Sequence, residues 1–193
     1  MALSLVTAPV AEPLLVQEAI DHLRIDGSTD AAYVFTLIRA ARDQAEAATK
    51  RALMRQTWKL LLDGLPASGV VYLPKPPLAS VTHVKYYDTA GVLQTWSSSL
   101  YTVDAGSEPG RLYPAYGGIW PSYRAQPNAI EIQFVCGYAT ADLIPASILH
   151  GLRLVLGHLY ENREEVGYLT PSRLPAGAAS LFSSYEVMLP SCA

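Results

Sequence analysis

The residues most able to do chemistry are four histidines and two cysteines, and their spacing gives them few partners. His158 and Glu161 share a helix face at i,i+3. A carboxylate-bridged metal pair would need such a motif from two helices, together with two more carboxylates. His150 lies two helical turns before His158, which is too far for both to bind one metal ion. The spacing therefore favours a surface pair over a metal site.

Cys136 ends an alternating apolar run that begins at Ile130, which predicts a buried thiol rather than a nucleophile. With Cys192 it makes no disulfide framework. Five carboxylates in the central part of the chain could in principle form the acid and base of a glycosidase, but turns and outward strand positions favour solvated charge. They are Asp63, Asp104, Glu108, Glu131 and Asp142.

Catalytic and phosphate-binding motifs are missing from the sequence. It contains no GxxxxGK[ST], no GxSxG and no HExxH. Gly117-Gly118 does not lead from a strand into a helix, so we interpret it as a flexible turn. We predict that the protein is not an enzyme and binds neither a metal nor a cofactor.

The composition points to a surface that an assembly covers. Of the 193 residues only 16% are charged, against roughly 25% in an ordinary soluble domain. The 14 basic and 17 acidic side chains give a net charge of −3. A generic DNA-binding domain would show a basic excess, so the balance argues against one. No apolar run approaches the ~20 residues that cross a bilayer, and we expect no membrane contact.

Tyrosine is the one unusually frequent aromatic residue. There are 12 Tyr and 3 Phe, and seven of the tyrosines lie between Tyr86 and Tyr138, with Trp96 and Trp120 close by. Tyrosine is enriched where one side of a residue is buried and the other is wet, as at protein interfaces. A preference of β structure for tyrosine explains the count equally well. A platform that stacks on sugars is a weaker third interpretation.

The elements that must position these residues fall into three zones. In the first, Gln17–Leu23 predicts a short helix, and apolar residues at helical spacing predict a long one over about 30–51. Its apolar positions are Val34, Leu37, Ile38, Ala41, Ala45, Ala48 and Ala52. We expect Arg42 and Glu46 to lie on the opposite, exposed face.

In the second zone, about 55–144, short β-branched and aromatic runs alternate with turn signals, which predicts an antiparallel sandwich or a small barrel. The third begins at Pro145 with an apolar helix to about 163, whose stripe of Ile148, Leu152, Val155 and Leu159 should pack against the long helix. We therefore predict an α+β fold. Residues 1–54 and 145–165 form a helical body, and residues 55–144 form an inserted β-sandwich-like module.

Residues 166–193 form a predicted C-terminal tail with a short helix. The tail is broken by prolines, yet it carries six apolar side chains that need a surface to cover them. We predict that they bind a partner, although a tail that folds back on its own subunit or on a neighbouring one is the alternative. They are Leu181, Phe182, Tyr185, Val187, Met188 and Leu189.

A family resemblance runs through most of these zones, over about residues 8–189. The chain resembles the head–tail connector, or adaptor, proteins of tailed bacteriophages and gene transfer agents. The order and spacing of short motifs carry the match, of which Leu73-Pro74-Lys75-Pro76-Pro77-Leu78 followed by Ser80-Val81 is the most specific. The others are Ala11-Glu12-Pro13, Gln17-Glu18-Ala19, His22-Leu23-Arg24-Ile25-Asp26, Ala47-Ala48-Thr49-Lys50-Arg51-Ala52-Leu53, Gln56-Thr57-Trp58, Trp120-Pro121, Gly137-Tyr138, Ile144-Pro145, Tyr160-Glu161-Asn162-Arg163-Glu164, Leu174-Pro175, Leu181-Phe182 and Tyr185-Glu186-Val187. Two departures are Leu14-Leu15 in place of a small polar helix cap and Glu186 in place of an expected arginine.

The resemblance implies a structural protein of the virion neck, assembled in the cytoplasm of the host bacterium. It implies a homo-oligomeric ring, commonly of twelve copies, that docks beneath the portal protein after genome packaging. Such a ring extends the channel, through which DNA passes without sequence-specific binding, and it supports a stopper or tail-completion protein. The resemblance implies no catalysis and no cofactor.

The alternative function is a β-rich carbohydrate-binding or hydrolytic module. Its platform would be Trp96, Trp120 and the neighbouring tyrosines. Mass distinguishes the two functions, because a neck protein should form rings whereas a sugar module should stay small and bind glycans.

Overall fold

The structure, a computed structural model, describes residues 1–25, 30–66, 68–162 and 174–188. Within these ranges four helices and eight strands form an α+β fold, as predicted. In chain order they are β1 (Ala2–Thr7), α1 (Val16–Leu23), α2 (Ala31–Thr49), β2 (Gln56–Leu62), β3 (Val71–Leu73), β4 (Leu78–Tyr87), β5 (Leu93–Trp96), β6 (Tyr101–Asp104), β7 (Gly110–Pro114), β8 (Ile130–Cys136), α3 (Ala146–Glu161) and α4 (Ala176–Ser183).

The described residues divide into two compact units. The β unit contains Met1–Val10 and Arg55–Gly137, together with Val187 and Met188. The helical unit contains the described parts of Ala11–Met54 and Tyr138–Glu186. These boundaries differ from the predicted ones at both ends of the chain. Residues 1–10 join the β unit because β1 pairs with β2, and α4 joins the helical unit because it packs on α3.

The β unit has two antiparallel sheets, and neither closes into a barrel. The larger has the order β1-β2-β8-β4-β5 and the smaller β3-β7-β6. In β8 every second residue is buried, from Ile130 to Cys136, so the alternation in the sequence is reproduced. Cys136 is buried, as predicted. The residues between them, including Glu131, lie on the other face of the larger sheet, which we call its outer face.

The helical unit is built on contact between α2 and α3, as the two apolar stripes predicted. Val34, Ile38, Ile148 and Leu152 lie in one buried cluster, and Leu159 packs partly buried against it. At the start of α1, Glu18 accepts a hydrogen bond from the Leu15 backbone N–H at 3.4 Å. This is one of the two hydrogen bonds of a capping box, and it gives the Leu15 N–H a partner although residue 15 has no polar side chain to cap the helix.

Arg42 and Glu46 are buried, so the prediction that both lie on the exposed face of α2 is wrong. Arg42 Nη1 donates to the two carboxylate oxygens of Glu12 at 2.7 and 2.9 Å. Glu46 accepts from the backbone N–H of Leu53 at 2.8 Å. Burial of a charged group is tolerated when such partners replace water. Both partners come from outside α2, where helical spacing gives no information.

Candidate interaction surfaces

The C-terminal segment, residues 174–188, packs on its own chain through α4. The sequence Ala176-Gly177-Ala178-Ala179 has almost no side-chain bulk, which permits close approach to α3. Ala178 and Phe182 are fully buried in the core of the helical unit. The Phe182 ring lies directly over Gly151 of α3, where there is no Cβ.

Two polar contacts hold the end of α4 against the end of α2. Arg51, which is itself buried, donates from Nε to the carbonyl oxygen of Tyr185 at 2.8 Å. Lys50 Nζ lies 2.7 Å from Glu186 Oε1. Glu186 therefore has a cationic partner within the chain, at the position where the resemblance led us to expect an arginine.

The structure separates the six apolar residues of the predicted partner-binding tail. Phe182 and Val187 are buried by the chain itself, which is the fold-back alternative. Leu181 and Tyr185 are half-buried, and Met188 is 78% exposed. Leu189 lies outside the described residues. Of the five that the structure describes, Met188 is the side chain most open to a partner.

The loop between β7 and β8, residues 115–129, is a second candidate surface, which the sequence indicated only through its aromatic content. Hydrogen bonds along its length fix it to the rest of the β unit. Trp120 Nε1 donates to Gly69 O at 3.1 Å, and the Leu65 N–H donates to the Tyr123 hydroxyl at 3.2 Å. The Arg124 N–H donates to Tyr87 O at 2.9 Å, and the Asn128 N–H to Asp63 Oδ1 at 2.8 Å.

The aromatic cluster predicted as a sugar platform is packed against itself. The Trp96 ring centroid lies 4.8 Å from that of Trp120 and 5.4 Å from that of Tyr101. Trp96 is buried, so it offers no open face for a sugar ring to stack on. Burial also raises the pKa of the Tyr101 phenol. The cluster instead holds Trp120 of the β7–β8 loop against Trp96 of β5.

Two of the five carboxylates considered for a glycosidase, Asp104 and Glu131, have lowered pKa values, which favours their ionised form. Asp104 has a pKa of about 2, because the Ser107 hydroxyl and the Arg111 guanidinium donate to its Oδ2. Glu131 contacts His83 Nε2 at 3.1 Å and Lys59 Nζ at 3.2 Å. Desolvation would raise the pKa of Glu131, but these two partners together lower it. A glycosidase acid needs a raised pKa, so neither group suits that role.

The side chains considered for metal binding are not brought together. His158 Nδ1 lies 3.2 Å from the Asn162 side-chain nitrogen. Within residues 1–25, 30–66, 68–162 and 174–188, no three His, Cys, Asp or Glu side chains are grouped as metal ligands. In those same ranges no helix is both long and apolar enough to cross a membrane.

Solved structures similar to this chain include chains of gene transfer agent (GTA) particles. A chain in the virion of a native GTA particle has 26% identical residues and a TM-score of 0.79, with 98% of this chain and 97% of that chain covered. A chain in the neck of an empty GTA particle, computed with C6 symmetry, has 25% identity, a TM-score of 0.80 and the same coverage. A chain in the neck of a native GTA particle, computed with C12 symmetry, has 24% identity, a TM-score of 0.79 and again the same coverage.

No protein-family model and no curated protein matches the sequence. The structural similarity nevertheless extends over nearly the whole of both chains, including both units. It confirms the resemblance to GTA neck components that the motif order indicated.

Proposed function

We propose that this protein is a head–tail connector, or adaptor, of a tailed phage or gene transfer agent. The observation that carries the proposal is the similarity over 98% of the chain to a chain in the neck of a GTA particle. The role is structural rather than enzymatic. It places the protein in the neck of the virion, after assembly in the host cytoplasm.

In this role the protein forms a ring of twelve copies beneath the portal. The C12 and C6 symmetries of the similar neck structures support a cyclic arrangement with that number. The sparse charge of the chain also supports it, because a ring covers part of each subunit's surface. The ring extends the DNA channel without reading sequence, and it provides the platform for a stopper or tail-completion protein.

The C-terminal segment carries the contact with the portal. Met188 is its most exposed apolar side chain, and the half-buried Leu181 and Tyr185 lie in the same segment. Phe182 holds the segment to the helical unit. The portal therefore binds a segment that is already packed on its own chain. Each single contact can be weak, because a ring presents many copies at once.

Particle assembly tests the proposed role directly. The wild-type chain is mixed with portal-bearing heads that lack a neck, and negative-stain images are compared with size measurements of the chain alone. We expect rings on the portal vertex. A chain that stays monomeric on its own and leaves the portal bare would contradict the proposal.

Point substitution tests the portal contact better than truncation, because removing the tail would also take Phe182 out of the core. Met188→Asp should reduce docking on heads and leave folding unchanged. Val10→Asp is the matched control, since Val10 is an exposed apolar residue in another segment. If the Met188 variant docks at wild-type occupancy, the portal contact lies elsewhere on the chain.

A further inference from the structure

The β7–β8 loop has an apolar tip that none of the described residues covers. Tyr116 is fully exposed and Ile119 is 86% exposed. An irregular loop of this length in a compact domain is uncommon and is usually functional. Two large apolar side chains held in water at its tip indicate a surface that another molecule covers.

Backbone hydrogen bonds hold the tip in a defined turn, which makes it suited to binding. The Gly118 N–H donates to Ala115 O at 2.7 Å and closes a turn, with Tyr116 at one corner. Gly117 takes the other corner with a φ of +73°, a conformation that glycine adopts without strain. The Ala115 N–H donates to Leu100 O at 2.9 Å. A backbone already held in a turn loses little further conformational entropy on association.

A recess of about 300 Å³ opens in the same β unit, on the outer face of the larger sheet. Leu61, Tyr87 and Leu93 supply apolar walls. Residues 126–129, at the far end of the β7–β8 loop, and Glu131 complete the lining and supply its polar groups. Leu93 is about half exposed. The recess has room for a large side chain, and its ionised Glu131 carboxylate can accept a hydrogen bond from a phenol hydroxyl.

We propose that the Tyr116 tip of one copy inserts into the Leu61/Tyr87/Leu93 recess of the next copy in the ring. The inference rests on the proposed function, because it assumes a ring. A second copy is the favoured occupant because different residues of one chain form the tip and the recess, so every copy offers both. A repeated head-to-tail contact of this kind generates a ring when the rotation between copies closes, as the cyclic symmetry of the similar neck structures requires. The match also includes polarity, since tyrosine carries one hydroxyl and the recess carries acceptors.

Cross-linking tests this contact between full-length chains. Cys192→Ser removes one native cysteine, and the other, Cys136, is buried. Tyr116→Cys is made in one batch of this background and Leu93→Cys in another. After the two are mixed and assembled into rings, a short bis-maleimide should give a covalent dimer. Neither batch alone should give one, because the contact joins unlike surfaces. The pair of Val10→Cys with Leu93→Cys is the control for random collision.

Substitution of the tip gives an independent measurement. Tyr116→Ala combined with Ile119→Ala should raise the chain concentration needed for ring formation at least about tenfold. Val10→Ala should leave it unchanged, since it removes exposed apolar surface elsewhere. The circular dichroism of all variants should match the wild type, because these side chains make no core contacts.

The outcomes separate the inference from the proposed function. Intact rings without the Tyr116–Leu93 cross-link, or with unchanged concentration dependence after tip substitution, would overturn the inference and leave the connector role standing. Tip variants that form normal rings but no longer attach tails would also overturn it, because the tip would then bind a different virion protein. Absence of wild-type rings, both alone and on portal-bearing heads, would overturn both.

Discussion

Phe182 occupies the space that a side chain at position 151 would need. A Cβ built on Gly151 would lie 2.5 Å from Cε1 of the Phe182 ring, far inside van der Waals contact. The ring is fully buried and cannot swing into solvent. This relationship explains how a helix as short as α4 is held to α3, and why a glycine interrupts the apolar sequence of α3.

Gly151→Ala should therefore destabilise the helical unit by about 1–3 kcal/mol, the usual cost of overpacking a core. Gly157→Ala is a matched control in the same helix, because a Cβ there meets nothing within 4 Å. It should stabilise by about 0.5–1 kcal/mol, since alanine is the better helix former. Urea unfolding followed by helical circular dichroism measures both, and equal changes would show that Phe182 can move aside.

Arg51→Ala should loosen the C-terminal segment. The substitution removes a charged donor from the Tyr185 carbonyl, a hydrogen bond worth about 1.5–3 kcal/mol. Lys50→Ala breaks only the half-exposed pair with Glu186 and should cost about 1 kcal/mol or less. Limited proteolysis after residue 174 should be faster in the Arg51 variant than in the Lys50 variant. The same rate in both would mean that the apolar packing of α4, rather than the Arg51 hydrogen bond, holds the segment.

Local periodicity was enough to predict the main helices and the clearest strand. The stripe from Val34 to Ala45 predicted a helix over about 30–51, and α2 spans Ala31–Thr49. The alternation from Ile130 to Cys136 predicted β8. Each of these apolar spacings lies within a single helix or strand, so it can be recognised from the sequence alone. The sandwich-like packing of the two sheets and the insertion of the β module remain predictions.

Pairings between distant segments could not be predicted in this way. Arg42 looked solvated because its partner, Glu12, lies thirty residues earlier in the sequence. The strand β1 forms because β2, about fifty residues later, supplies its hydrogen bonds. The sequence did not single out Tyr116 or Leu93, because exposure at a loop tip and a position beside a recess are properties of the folded unit.

Leu152→Ala should cost about 2–5 kcal/mol of unfolding free energy. Leu152 is 1% exposed and lies in the cluster shared by α2 and α3. Leu143→Ala is the control, because Leu143 lies just before α3 and is exposed. Its effect should stay within about 0.5 kcal/mol. A loss of the same small size at Leu152 would mean that the two helices do not share a core.

Asp104 should make the β unit sensitive to acid in a defined range. Its pKa is about 2 in the folded chain, against 3.8 for an ordinary aspartate. A lowered pKa means that the ionised form stabilises the fold. That contribution is complete above pH 3.8 and is lost as the pH falls through about 2. Asp104→Asn lacks the contribution at every pH, so the difference in unfolding free energy between wild type and variant should shrink between pH 4 and pH 2.

Ser107→Ala removes the largest cause of the shift and should raise the pKa of Asp104 toward 3.8 in a carboxyl NMR titration. Two results would contradict the assigned hydrogen bonds. One is a difference in unfolding free energy between wild type and Asp104→Asn that stays constant from pH 4 to pH 2, and the other is an Asp104 pKa that does not change when the Ser107 hydroxyl is removed.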